Sequence, residues 1–188
     1  MEKPKLLVIM GSVRNGRFND QPANWILEHA KKQFHAELVD LKDYPMPFYV
    51  DQTTPSYIKD GNYSDPTVKK FAQKIKEAQA FIIVSPEYNH SISGVLKNAI
   101  DHVYAEWNNK PIAYLSYGSW AGGSRAVEHL RLIAVELQMA PIRQGVHIAN
   151  YWENMENGKF KFEKYEAPAQ QMLDQLLWWA NALNAARK

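Results

Sequence analysis

Five short apolar runs, separated by segments with helical spacing, constrain this chain more than any other feature. The runs are Lys5 to Met10, Ala36 to Leu41, Ala80 to Val84, Pro111 to Tyr117 and Ile142 to Ile148. A run that is apolar at consecutive positions, rather than at alternate ones, reads as a strand covered on both faces, and such strands belong to parallel sheets. The intervening segments have the opposite periodicity. Asn19 to Phe34 places Ala23, Ile26, Leu27, Ala30 and Phe34 on one face, and Val68, Phe71, Ala72 and Ile75 do the same further on. Gly94 to Tyr104 carries Val95, Leu96, Ala99, Ile100 and Val103 on one stripe. Ala126, Val127, Leu130, Ile133, Ala134 and Leu137 stripe the next helix, and Met172, Leu173, Leu176, Leu177, Ala180 and Leu183 the last. Strands alternating with helices predict an α/β doubly wound parallel sheet with helices on both faces. The expected strand order is 2-1-3-4-5, which opens a ligand crevice beyond the carboxyl ends of the strands.

The connections add detail. Residues 42 to 66 hold four prolines among Asp, Asn and Gly and read as a long loop. Pro66 stands where a first-turn proline belongs, with Asp65 as the N-cap. Phe160 and Phe162 alternate with lysines around Asn157-Gly158, a hairpin signal. With 188 residues, one domain spanning 1–188 is expected. A chain of this size buries roughly 70% of its unfolded surface, enough to need no cross-link. There are no cysteines, which excludes disulfides, thiolate metal sites and cysteine nucleophiles. The formal charge is only +2, which gives no reason to expect a nucleic-acid partner. The apolar runs are too short to span a membrane. Met-Glu-Lys-Pro-Lys leads straight into the first strand, so a cytoplasmic protein without a signal peptide is expected.

Three strand-end loops carry the polar residues. The first, Gly11 to Asn19, precedes a helix, whose N-terminus favours anions. Ser12 and Asn19 can donate hydrogen bonds there, and Arg14 and Arg17 can neutralise a phosphate. The pattern is neither a P-loop nor Gly-x-Gly-x-x-Gly, which disfavours a nucleoside triphosphate or a Rossmann dinucleotide. The second loop, Ser85 to Gly94, offers Pro86, Tyr88 and Asn89 to the edge of a planar heterocycle. Glu87 reads better as a side chain tied to a neighbouring backbone or partner subunit than as an acid or base. His90 alone makes no metal site, and Ser93 is the expected cap of the next helix. The third loop, Ser116 to Arg125, contains Gly118, Gly122 and Gly123 beside Tyr117 and Trp120, which permits close backbone approach.

Together these loops resemble the NADPH-dependent FMN reductase family, of flavodoxin-like fold, which includes quinone, azo-dye and chromate reductases. The matching residues are Gly-Ser-Val-Arg at 11–14, Ser-Pro-Glu-Tyr-Asn-His-Ser with Gly-Val-Leu-Lys-Asn-Ala-Ile-Asp across 85–101, and Ser-Tyr-Gly, Gly-Gly-Ser-Arg-Ala and Leu-Arg across 116–131. Arg17 and Ser93 depart from the serine and proline that many members have there. The resemblance implies an FMN site. Ser12, Arg14, Arg17, Phe18 and Asn19 would form the phosphate loop, and Pro86, Glu87, Tyr88 and Asn89 the edge of the isoalloxazine. Ser116, Tyr117, Gly118, Gly122 and Gly123 would lie at its pyrimidine end. It implies hydride transfer from NADPH or NADH through FMN to small-molecule acceptors, with the flavin carrying the chemistry and no separate catalytic residue. It also implies a homodimer or tetramer. His102, Tyr104, Trp107 and Trp120, with Tyr49 and Tyr57, are expected to flank the site. The competing readings are an FMN-binding electron carrier, which the +2 charge argues against, and a flavin-binding regulatory protein. Residues 149–188 carry no family signature.

Overall fold

The computed structural model describes residues 2–187. Five parallel strands, β1 (Lys5–Met10), β2 (His35–Asp40), β3 (Ala80–Pro86), β4 (Pro111–Tyr117) and β5 (Ala140–Ile148), form one sheet in the order β2-β1-β3-β4-β5. This is the expected flavodoxin-like topology. Alternate side chains of each strand divide between two cores. Leu6, Val8, Met10, Ile82 and Val84 join α1 (Asp20–Ala30) and α5 (Glu166–Ala186) on one face. Leu7, Ile9, Phe81 and Ile83 join α2 (Pro66–Glu77), α3 (Gly94–Asp101) and α4 (Ser124–Glu136) on the other. β3 and β4 are buried along their whole length, where each large apolar side chain contributes about 1.5–3 kcal/mol.

The helix starts differ in a way that matters for the site. Asp65 caps α2 through its carboxylate, bonded to the N–H groups of Thr67 and Val68, with Pro66 in the first turn. Ser93 caps α3 at the N–H of Leu96 and donates its own proton to the Gly11 carbonyl, 2.6 Å away. By contrast, α1 and α4, which follow β1 and β4, have no cap from their own N-cap side chains. Both start at the carboxyl edge of the sheet.

Several expected bounds shift. The first helix ends at Ala30 rather than Phe34, and Phe34 packs into the core from the turn before β2. The third helix stops at Asp101. The hairpin exists as β6 (Met155–Glu156) and β7 (Lys159–Phe160), with Asn157 and Gly158 both at positive φ, as a two-residue turn of this kind requires. The long loop after β2 is held to α3 by Asn98, whose amide bonds the Pro47 carbonyl and the Tyr49 N–H, and by His102, bonded to the Pro47 carbonyl at 2.8 Å.

Candidate active site

The three loops meet at the carboxyl ends of β1, β3 and β4 around a cavity of about 260 Å³. In the first loop Gly11 continues the sheet by donating to the Val84 carbonyl. This brings Ser12, almost fully buried, to within 3.2 Å of the Tyr88 hydroxyl, so the first and second loops join under the cavity. Asn19 is fully buried. Its amide nitrogen donates to the Val84 carbonyl, while its oxygen has no partner among the described residues. Burial raises the Tyr117 phenol above its ordinary range, with the Asn19 and Ser12 side chains beside it pulling the other way. A buried hydroxyl-and-amide cluster, with one orphaned acceptor, therefore lies behind the cavity wall.

The two arginines separate. Arg14 lines the cavity and has no ion-pair partner among the described residues. Arg17 also borders the cavity, but its guanidinium is bonded to both carboxylate oxygens of Asp40, to Asp20 and to the Ser12 carbonyl. The Asp40 hydrogen bond raises the Arg17 pKa further, outweighing burial. Burial pushes the Asp40 carboxyl up, but Arg17 and the Lys42 N–H leave it below its usual value. The expected pair of phosphate cations is thus one open cation, Arg14, and one arginine that pins the loop to the end of β2.

In the second loop Tyr88 and Ser91 exchange backbone hydrogen bonds around Asn89 and His90, both at positive φ. Asn89 consequently sits at an exposed turn tip, away from the cavity wall formed by Pro86, Glu87 and Tyr88. Glu87 is tied down as expected. Its side chain, 6% exposed, pairs with the Arg125 guanidinium and accepts from the Arg125 N–H, supplying from another loop the cap that α4 lacks. Several backbone donors of these loops are already taken. The N–H groups of Glu87, Tyr88, Gly118 and Gly122 already donate to Tyr117, Ser91, Ile148 and Ser119 carbonyls.

In the third loop the Ser116 hydroxyl donates to the Gly122 carbonyl and lies 2.7 Å from His147 Nδ1. Gly123 has φ +83°, and a Cβ there would come within 2.7 Å of Ser116 Cβ and 2.9 Å of the Tyr117 nitrogen. Only glycine fits. Trp120 is 74% exposed, with the Arg125 guanidinium 5.0 Å from its ring.

Sequence reasoning missed one wall. After β5, Asn150 takes a left-handed conformation and bonds the Ser119 carbonyl, then Tyr151–Asn154 makes a short 3-10 turn. Tyr151 stacks on Phe18 at 4.3 Å and meets Tyr117 edge-on, and Tyr151, Trp152 and Ser119 all line the cavity. The aromatic pair Tyr-Trp beside a strand end was the available signal. Conversely, Tyr104 and Trp107 do not flank the site. Tyr104 bonds the Glu136 carbonyl at the far end of α4, and Trp107 is buried against Phe81. These residues follow α3, which runs away from the site loops. Nor do His102, Tyr49 and Tyr57 line the cavity: His102 and Tyr49 pack on each other in anchoring the long loop, and Tyr57 is exposed.

A family model described as NADPH-dependent FMN reductase matches residues 4–153. An NAD(P)H-dependent FMN reductase of Schizosaccharomyces pombe is 41% identical over 138 residues, 72% of this chain and 68% of that protein. An NAD(P)H:quinone oxidoreductase of Solanum tuberosum is 38% identical over 141 residues, 72% of this chain and 69% of that one. Among solved structures, a flavoenzyme NAD(P)H:(acceptor) oxidoreductase from Paracoccus denitrificans superposes with a TM-score of 0.73 at 22% identity, covering 95% of this chain and 98% of that one.

Proposed function

The chain belongs to the NADPH-dependent FMN reductase family, and on that footing we propose that it is an FMN-dependent NAD(P)H oxidoreductase acting on quinones, free flavins, azo dyes or similar small acceptors. The observation that carries the reading is the convergence of all three loops on one cavity. The residues present fit FMN. Arg14 is a cation without a partner among the described residues, at the mouth of the first loop. α1 starts at the end of this loop, so its positive dipole end favours a phosphate there, although the Gln21 N–H already donates to the Phe18 carbonyl and Pro22 has no N–H. Behind the cavity wall Ser12, bonded to the cavity-lining Tyr88, and Asn19, bonded to the Val84 carbonyl, hold the first loop in place.

When bound, FMN would supply the two-electron redox chemistry between nicotinamide and acceptor. The protein's own part is positional. Arg14 offsets phosphate charge, while Arg17 holds the loop through Asp40. Pro86 and Tyr88 give the ring an apolar edge. The Glu87–Arg125 pair fixes the second loop against α4, and Gly118 lines the cavity while Gly122 and Gly123 let the third loop pack against the end of β5 and Ser116. Asn89, at the turn tip, contacts the ring only if that turn folds inward. Residues 1–188 act as a single domain.

The electron-carrier alternative lacks the strong acidic charge that docking on basic partners uses. Among the described residues no helix is long and apolar enough to cross a membrane, in keeping with a cytoplasmic enzyme. Phe48, Tyr57 and Leu132 are more than 70% exposed, which supports a homodimer or a tetramer of dimers. Light scattering giving one chain mass would oppose that. The function is tested by reconstituting the protein with FMN and adding NADPH or NADH without oxygen. Rapid bleaching, then reoxidation by a quinone, is expected. A bound flavin that stays oxidised with both nicotinamides would leave only the carrier or regulatory readings.

A further inference from the structure

We infer that Trp152 is the platform on which flat electron acceptors dock, and so a specificity-determining residue of this site. The inference rests on the reductase reading above. It starts from the short turn after β5, which is tied to two of the loops at once. The Asn150 N–H donates to the Ser119 carbonyl of the third loop. Tyr151 stacks on Phe18 of the first loop, their rings 21° from parallel, and meets Tyr117 edge-on. Tyr151 is thereby a fixed wedge, and Trp152, packed edge-on against it at 5.3 Å, inherits that position.

Trp152 differs from the other aromatic rings of the wall. Phe18 and Tyr117 are buried, at 9% and 5% exposure, whereas Trp152 is 53% exposed and still lines the cavity. A ring that is half wall and half solvent surface touches what enters from solution. No hydrogen bond holds its indole N–H to a protein acceptor among the described residues, so its contact with a guest is chiefly through the ring. Stacking of that kind favours planar aromatic molecules and gives a compact, octahedral complex anion little to hold. Tyr151 acts through Trp152 and is a positioning residue.

The test uses the FMN-loaded protein and Trp152→Ala, with Trp152→Phe as the conservative variant. Three quantities are measured: the FMN dissociation constant, calorimetric binding of 1,4-naphthoquinone to the oxidised protein without nicotinamide, and steady-state KM and kcat with naphthoquinone and with ferricyanide. Trp152→Ala is expected to weaken naphthoquinone binding and raise its KM roughly fivefold to tenfold. FMN affinity and the ferricyanide parameters should stay within about twofold, and Trp152→Phe should recover most of the loss. Equal losses with both acceptors, or none, would overturn the assignment. So would weakened FMN binding, which would make Trp152 part of the cofactor wall instead. A wild-type protein that takes up no FMN, or is not reduced by either nicotinamide, would instead fell the underlying reading.

Discussion

Each end of the sheet carries a cavity, and the larger one is at the end without the site loops. About 660 Å³ opens beside Lys3, Lys5, His35, Gln79 and Asn184, against about 260 Å³ at the carboxyl ends of the strands. The difference lies in what is left unspent. At the amino end Lys5 pairs with Glu77 and Glu37, and Lys3 donates to the Lys31 carbonyl. At the carboxyl end Arg14, in the cavity wall, has no ion-pair partner among the described residues, whereas buried side-chain atoms without a hydrogen-bond partner occur toward both ends, with Asn19 Oδ1 here and Gln33 Oε1 and Trp107 Nε1 ahead of β2 and β4. Parallel strands send every following helix N-terminus to one edge, so helix dipoles accumulate there. An open cation in the cavity wall, rather than volume, separates the two ends.

The sharpest way to break this contrast is at Gly123. Gly123→Ala should cost about 2–4 kcal/mol of stability, because a left-handed backbone and a collision with Ser116 combine. Gly158→Ala, at similar φ but in open space, should cost only about 1–2 kcal/mol. Urea unfolding compares them, and equal losses would mean that the packing around Gly123 is looser than described.

Next comes the split between the arginines. Arg14→Ala should weaken FMN binding by about 1.5–3 kcal/mol, the worth of a hydrogen bond to a charged group. Arg17→Ala should instead lower folding stability, since it strands Asp40. Flavin titration beside thermal melting distinguishes them, and an unchanged FMN constant in Arg14→Ala would reject it as the phosphate cation.

At the amino end the expected signature is pH dependence of folding. Lys110 is buried there, its ammonium donating to the Ile75 and Lys76 carbonyls at the end of α2, and burial brings its pKa down to about 7. The unfolded chain, with an ordinary lysine, holds the proton to higher pH. Between about pH 7 and 10 it binds more protons than the folded form, so stability rises across that window. Lys110→Met should remove about 1–2 kcal/mol of that rise, less than burial alone implies because two carbonyls favour the ammonium. Matching pH slopes for the two proteins would show that Lys110 stays charged throughout. Smallest of all, Lys3→Ala and Asn184→Ala should shift FMN affinity by no more than about 0.3–0.5 kcal/mol. A clear loss in either would couple the two ends.

Much of the scaffold was legible in the residues. Ala80 to Val84 could only be a central strand, and Asp65-Pro66 and Ser93 announced their helix starts. These signals are local: burial on both faces, a fixed proline φ, and a hydroxyl or carboxylate two or three residues from the N–H it caps. The Asn157-Gly158 turn is local in the same sense. The motif spacing also brought the three loops to one edge, once the strands were taken as parallel.

What needed the tertiary structure were the partners far away in the chain. Arg17 looks like a phosphate ligand until Asp40, at the end of a neighbouring strand, takes its guanidinium. Glu87 finds its partner in Arg125, and Phe18 finds Tyr151 across more than a hundred residues. Trp107 and Trp152 look alike as isolated tryptophans, yet one is core and the other cavity wall. The sequence alone determined which segments are strands and helices and which loops carry polar groups, because periodicity and capping act within a few residues. Only the folded arrangement decided which of those polar groups are already satisfied, because a hydrogen bond or ion pair depends on distance in space, and that distance is set by strand order and packing.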